Sequence, residues 1–285
     1  MSNTPVYLRD RHWAAASVLD PAFGKTQDAI NARLMAAVGT DSAAAHNAVY
    51  RGKNLGTSVT AAQYAAIDAG TFDDLYIGDY WVIGDVNWRI AAFDYYWHTG
   101  DTPEATNAVP HHVVVVPDGY LYKAQMHNTA GGSQSTDPED NSTVGAYIGS
   151  DMYTTNLAQA KTIINTAFGS AHVLNHRNLF KNAVGETGYS APCSWYDSTV
   201  DLMNEQNVMG GRNLGYEADT LDRTQFPLFA LNPAIISNGK PFWLRDVCAT
   251  NRFVCIGGTG SQTEAYSSAN SGVRPAFCLI AEQAS

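Results

Sequence analysis

Cysteine is scarce in this chain: 285 residues contain four, Cys193, Cys248, Cys255 and Cys278. They are too few and too scattered for a disulfide scaffold, and no Cys-x-x-Cys pair offers half of a structural zinc site. They are expected to act as small buried hydrophobes. Charge is scarce as well. Only 15% of residues are charged, and 17 Lys+Arg stand against 27 Asp+Glu for a net charge of −10 without a basic run. A phosphate backbone needs a clustered basic footprint, so nucleic acid is excluded as a partner. No apolar run approaches the ~18 residues of a membrane span, and none is expected to insert in a bilayer. The first residues, MSNTPVYLRDRHWAAASVL, lack a basic region followed by an apolar stretch. They predict a protein made in a cytoplasm and kept there, or released by a route that needs no signal.

Catalytic signatures are missing too. Gly-Lys occurs at 24–25 and 52–53 without the spaced glycine of a phosphate loop, and there is neither Gly-x-Ser-x-Gly nor His-Glu-x-x-His. His111 and His112 are adjacent in an expected strand and project to opposite faces. His172 and His176 have the spacing of one helix face, but no carboxylate accompanies them, so no metal site is expected. The acidic loop DPEDN at 137–141 lacks the spacing of a calcium loop, and the sequon at Asn141 has no secretory context. Nothing local supports Cys193 as a nucleophile. The expectation is a protein that is not an enzyme and uses no cofactor.

What is present is 45% hydrophobic residues, 24 glycines, 15 tyrosines and 6 tryptophans. That composition suits a β-rich, loop-heavy globular protein of one large domain or two ordinary ones. An N-terminal helix is predicted between Gly24 and Gly39, where Ile30, Leu34 and Val38 form a narrow apolar stripe. Three turns of helix are marginal alone, so the stripe should lie on the main domain or on copies of itself. Thr60 and Gln63 form a capping box for a second helix ending at Gly70. The period then switches: residues 79–97 read as a hairpin about Gly84-Asp85-Val86-Asn87. The run HHVVVVP at 111–117 reads as a buried strand, paired with LYKAQM at 121–126 across Asp118-Gly119. A helix is predicted over 156–168, stopped by Gly169. Residues 194–210 fit strand or helix and lean to strand; FPLFALNP at 226–233 and the two C-terminal stretches read as strands. Residues 128–145 and 257–272 read as long loops.

The aromatic cluster FDYYWHTGD places Tyr95, Tyr96, Trp97 and His98 where a strand runs into a loop. Rings with polar tips beside an aspartate suit stacking on sugars or packing in a protein interface, with alternate rings facing the core. Together with Tyr266 in the loop before the last strand they form the candidate ligand-binding set.

The C-terminal pair FWLRDV and SGVRPAFCLI resembles the terminal module of many phage and gut-bacterial surface proteins, which have a fold similar to C-type lectins and the formylglycine-generating enzyme. The middle of the chain resembles a structural protein of tailed phages of intestinal bacteria, and GKTQDAIN resembles the attachment helix of phage head-fibre and tail-fibre proteins. Trp243, Arg245, Gly272, Arg274 and Pro275 match the module's motif and are implied to define its fold. The resemblance implies an α+β, C-type-lectin-like display domain over 46–285 behind an anchoring and oligomerising segment, 1–45. It further implies a virion-surface protein, a homotrimer assembled in the host cytoplasm, a head fibre, capsid decoration or tail fibre. Its partners would be phage capsid or tail proteins, with adhesion to bacterial or mucosal surface glycans or proteins. Alternatives are a capsid-stabilising decoration protein without receptor binding and a bacterial lectin-like surface protein. The Glu-Pro-Asn and Gln-Pro-Asp sugar loops of C-type lectins do not occur, so calcium-dependent sugar binding is not implied. Arg274 is expected to brace loops through backbone carbonyls, Pro275 to suit an edge or bulge, and the loop 257–271 to carry any ligand contact.

Overall fold

The valine run at 113–116 sits at the middle of the architecture. In a computed structural model, which describes residues 42–127, 143, 145–181, 193–215, 224–237 and 239–282, it forms β3 (Val113–Pro117), buried along its whole length. A strand buried on both faces needs no polar alternation, and each buried valine contributes roughly 1.5–3 kcal/mol. The chain divides into two units, Met1–Asp41 and Ser42–Ser285. Only the second is described, so the predicted N-terminal helix with Ile30, Leu34 and Val38 lies outside the described residues, as does the acidic loop 137–141.

The second unit is mixed α+β. Its first sheet has the order β1 (Tyr80–Ile83), β2 (Val86–Phe93), β3, β12 (Pro275–Leu279), β7 (Val200–Leu202), with antiparallel neighbours throughout. The β1–β2 turn is two residues, Gly84 and Asp85, with φ of 59° and 60°. Two consecutive positive φ angles match the twist of the flanking strands. The turn is thus shorter than the four residues expected, because Val86 already pairs with Ile83. The second sheet runs β10 (Gln262–Tyr266), β9 (Arg252–Ile256), β8 (Phe242–Ala249), β11 (Ser271–Val273), β4 (Tyr122–Ala124), with β11 parallel to β8. A small hairpin pairs β5 (His176–Lys181) with β6 (Cys193–Ser198).

Several expectations need correction. The segment at 121–126 does not pair with the valine strand; β4 pairs with β11 in the other sheet, while β3 lies between β2 and β12. Long-range pairing overrides the short connection at Asp118-Gly119. FPLFALNP is not a strand. Pro227 occupies the first turn of helix α6 (Pro227–Leu231), where its fixed φ and missing N–H are tolerated. Residues 194–210 hold both elements: β6 and β7 precede α5 (Glu205–Met209), which is capped reciprocally by Asn204 and Asn207. His172 and His176 share no helix, the first lying in a 3-10 turn and the second in β5. The expected loop 257–272 contains strand β10, and Pro275 opens a central strand rather than an edge.

Of the remaining helices, α2 (Ala61–Asp68) and α4 (Leu157–Phe168) stand where the sequence predicts them, and α1 (Ala43–His46) and α3 (Pro103–Asn107) are additional short turns. α2 has the Thr60–Gln63 capping box, with both reciprocal bonds present. α3 starts on a Thr102 cap. α4 buries Leu157, Ala160, Ile164 and Phe168 and stops at Gly169, φ 85°. It is entered through a π-helical turn, Met152–Asn156. Among the described residues no helix is long and apolar enough to cross a membrane.

Gly272 shows why the motif needs a glycine. A Cβ there would lie 2.4 Å from Cδ1 of Tyr120 and 2.7 Å from the Pro241 carbonyl oxygen. The Tyr120 ring therefore packs directly on the β11 backbone. Gly272→Ala should destabilise the domain by roughly 1–3 kcal/mol through overpacking. Urea unfolding of the variant checks this, and Tyr120→Ala in the same chain should recover part of the loss.

Candidate functional site

Arg274 occupies the single position between the last residue of β11 and the first of β12, where the chain passes from the second sheet to the first. Its side chain is fully buried. Nε donates to the Pro117 carbonyl at 2.9 Å and Nη1 to the Ile235 carbonyl at 3.3 Å. The guanidinium lies over the Phe242 ring at 5.0 Å and the Phe229 ring at 5.4 Å. Burial lowers its pKa to about 10, still well above neutrality. Arg245, on β8, is also buried, donates to the Leu202 carbonyl at 3.0 Å and covers the Phe180 ring at 4.9 Å. Trp243 is buried and its indole N–H reaches the Ala124 carbonyl at 2.8 Å. These motif side chains are buried and bind backbone, so they present no solvent-facing surface to a ligand.

The aromatic corner after β2 is organised by a histidine. Asp94 and His98 take positive φ angles of 51° and 56°. The Asp94 carboxylate accepts from the His112 backbone N–H at 2.9 Å and contacts Nδ1 of His111 at 2.7 Å. The His112 ring is buried between two backbone groups: the Tyr96 N–H donates to Nε2 at 3.0 Å, and Nδ1 lies 2.9 Å from the Pro110 carbonyl. A backbone N–H can only donate and a carbonyl can only accept, so the ring must be neutral with its proton on Nδ1. Burial accordingly lowers its pKa to about 3.

The corner does not assemble the five predicted ligand residues. Tyr96 is buried, its ring 4.5 Å from that of His176. Tyr95 donates to the Thr224 carbonyl at 2.6 Å and packs edge-on against Phe226. Trp97 and His98 are exposed, Trp97 by 38%, and the indole stands edge-on to His111 at 3.6 Å. Tyr266 belongs to β10 in the other sheet, where Arg252 covers its ring at 4.4 Å. Two side chains of the set are therefore open to solvent at the corner, and the remainder hold the fold.

The thiols are held neutral. Cys255 and Cys278 are buried and Cys248 partly so. Burial raises Cys255 to about 11 and pushes Cys248 and Cys278 up as well. Nε2 of His176 lies 3.9 Å from Cys278 Sγ, but burial holds that imidazole below its usual pKa, so the contact creates no thiolate. The side chain of Cys193 lies outside the described structure. Among the described residues no group of three or more His, Cys, Asp or Glu could hold a metal.

An open groove of about 290 Å³ lies elsewhere, lined by Tyr122, Lys123, Ala124, Gln125, Asn156, Gln159 and Asn270. It combines the edge strand β4, the start of α4 and the turn before β11. The Tyr122 hydroxyl donates to the Asn156 carbonyl at 2.6 Å and accepts from the Ala160 N–H at 3.2 Å. It is thus inserted between two groups that would otherwise bond to each other four residues apart in a regular helix. The insertion directly follows the π-helical turn through which α4 is entered. Burial raises the Tyr122 hydroxyl to about 12, which keeps it a donor. The Asn156 amide fixes the Gln125 carbonyl at 2.7 Å, and the Gln125 amide fixes that of Ser268 at 2.5 Å. The groove is a rigid, amide-rich surface with no carboxylate or imidazole in its lining. Sequence reading missed it because its residues come from three distant segments; the interrupted helix start at 152–156 carries no periodic signal.

Comparison with protein-family models, curated proteins and solved structures finds no match to this chain.

The neutral His112 yields a pH prediction. Its folded pKa lies below the unfolded value, so the unfolded chain binds the extra proton and this group's contribution falls as pH drops from about 6.5 towards 3. Several buried carboxylates, Asp94 and Asp201 among them, are raised and act in the opposite sense. The informative quantity is therefore a difference between proteins. His112→Gln, whose amide oxygen can still accept from Tyr96, should be less stable at pH 7. Between pH 7 and pH 4 it should lose roughly 3 kcal/mol less than the unaltered chain. Urea titrations at the two pH values measure it.

Proposed function

We propose that this chain is a non-enzymatic structural protein of a tailed-phage virion, exposed as a head fibre, capsid decoration or tail-associated fibre. In this reading its folded unit is a C-type-lectin-like display domain that adheres to bacterial or mucosal surface glycans or proteins. Residues 1–45 anchor and trimerise it. The observation that carries the adhesion reading is the open groove beside β4, whose exposed amide side chains offer hydrogen bonds but no acid–base pair. Support comes also from the motif residues. Trp243, Arg245 and Arg274 are engaged with backbone carbonyls, and Gly272 accommodates a ring, as expected of a frame that holds loops in place. The described thiols, Cys248, Cys255 and Cys278, are held neutral, which speaks for recognition over chemistry at these three positions.

The full-length protein should bind saturably to mucin-coated surfaces or to cells in a panel of intestinal bacteria. Virions lacking it should adsorb poorly while keeping their physical robustness. Normal adsorption combined with fragile capsids would instead establish a stabilising decoration protein and end the adhesion reading. Sedimentation of the full chain at micromolar concentration should give a trimer, and a monomer there would remove the oligomerising role of Ile30, Leu34 and Val38.

A further inference from the structure

The groove's chemistry narrows the ligand beyond a generic surface. A side-chain amide offers one acceptor and a two-hydrogen donor on a flat frame, the pattern that adjacent hydroxyl groups on a ring satisfy. Three of the lining residues besides Asn156 carry such amides: Gln125, Gln159 and Asn270. Gln159 and Asn270 are exposed, and their side chains have no hydrogen-bond partner among the described residues. The volume, about 290 Å³, falls at the small end of ligand sites and suits one or two rings. An apolar ligand would find little to cover, since Ala124 and the Tyr122 ring are the nonpolar surface on offer.

Charge adds a second, independent constraint. The protein carries a net charge of −10, yet the groove's lining contains a lysine and no acidic residue. Lys123 has no ion-pair partner among the described residues; its ammonium lies 6.0 Å from the centre of the Tyr120 ring. Lys240 lies 5.3 Å from the same ring. Both ammonium groups lie near the Tyr120 ring, which packs closely on Gly272, but Lys240 has a further interaction of its own and does not line the groove. The positive charge in the lining is that of Lys123, which favours an anionic group there.

We propose that the groove binds an acidic glycan, a sugar ring bearing a carboxylate. The amides of Gln159 and Asn270, with the amide oxygen of Gln125, take its hydroxyl groups, and Lys123 takes its carboxylate. This inference rests on the adhesion reading and specifies the ligand class for it. No metal ion is required, because hydroxyls and carboxylate are met by side-chain donors and acceptors already in the groove.

The test uses the full chain, titrated by calorimetry and by NMR with a uronic-acid trisaccharide and with the same trisaccharide after reduction of its carboxyl groups. The acidic form should bind about three- to fivefold more tightly, a margin set by one exposed ion pair, and that margin should shrink with added salt. Lys123→Gln should abolish the preference and leave the reduced form's affinity unchanged. Asn270→Ala should weaken both forms by about fivefold, the loss of one hydrogen bond. Both substitutions are at exposed side chains, so unfolding midpoints should stay constant. Equal affinity for the two trisaccharides would overturn the acidic class. No binding of either, or binding indifferent to both substitutions, would overturn the groove as the site. Adhesion to cells or mucin that survives Lys123→Gln and Asn270→Ala together would sink this inference and leave the adhesion reading standing. Trisaccharide binding without any adhesion would do the reverse.

Discussion

A fully buried guanidinium at the crossing between two sheets is the constraint on which the rest of this domain depends. Arg274 has no freedom to withdraw: β11 ends at the residue before it and β12 begins at the residue after it. Removing such a group from water is costly, and only part of that cost is offset by acceptors, since Nη2 has no hydrogen-bond partner among the described residues. Here carbonyls from Pro117 and Ile235 supply acceptors, and two phenylalanine rings supply faces for the cation. Each partner lies on a different segment, so the arginine fixes the end of β3, the turn after α6 and the two last strands against one another. A lysine could not replace it, since its single ammonium cannot address separated carbonyls while lying flat between rings.

Polar contacts extend from that point along the first sheet. Asp118, next to the Pro117 carbonyl, is gripped by Arg89 through Nε at 2.5 Å and Nη2 at 2.6 Å, and Arg89 also reaches the Gly78 carbonyl. One residue on, the buried Asp79 carboxylate accepts from Arg51 and from the backbone N–H groups of Lys53 and Tyr76. The segment at 53–56, which also bonds along β1, is thereby tied down and covers what would be an open sheet edge. The open groove lies on the other sheet, at β4, where strand and helix are also tied together. The tyrosine inserted in the α4 ladder makes strand and helix one unit.

Much of this was legible before any coordinates. The capping box at Thr60, the buried valine strand, the amphipathic α4 with its terminal glycine and the Gly-Asp turn are all local patterns, and each formed where those patterns stand. The α+β class follows from them. The carbonyl-binding role expected of Arg274 is visible in its two backbone acceptors. Two failures have different causes. FPLFALNP looked like a strand because short apolar runs carry no reliable period, and Pro227 at its second residue was the helix-start signal that should have counted. LYKAQM was paired with its neighbour in sequence, although its partner lies almost 150 residues away in β11.

By itself, the sequence determined which residues must be buried and which local elements they favour, because burial and capping act over a few residues. It also carried the expectation that Arg274 would bind backbone carbonyls, which its two acceptors meet. Only the tertiary structure decided where surfaces meet. It took Tyr96 into the core, left Trp97 and His98 outside, sent Tyr266 to another sheet, and gathered Lys123, Gln125, Gln159 and Asn270 into one groove. The physical reason is that strand pairing and the insertion of one hydroxyl into a helix are long-range events, whose partners no local period encodes.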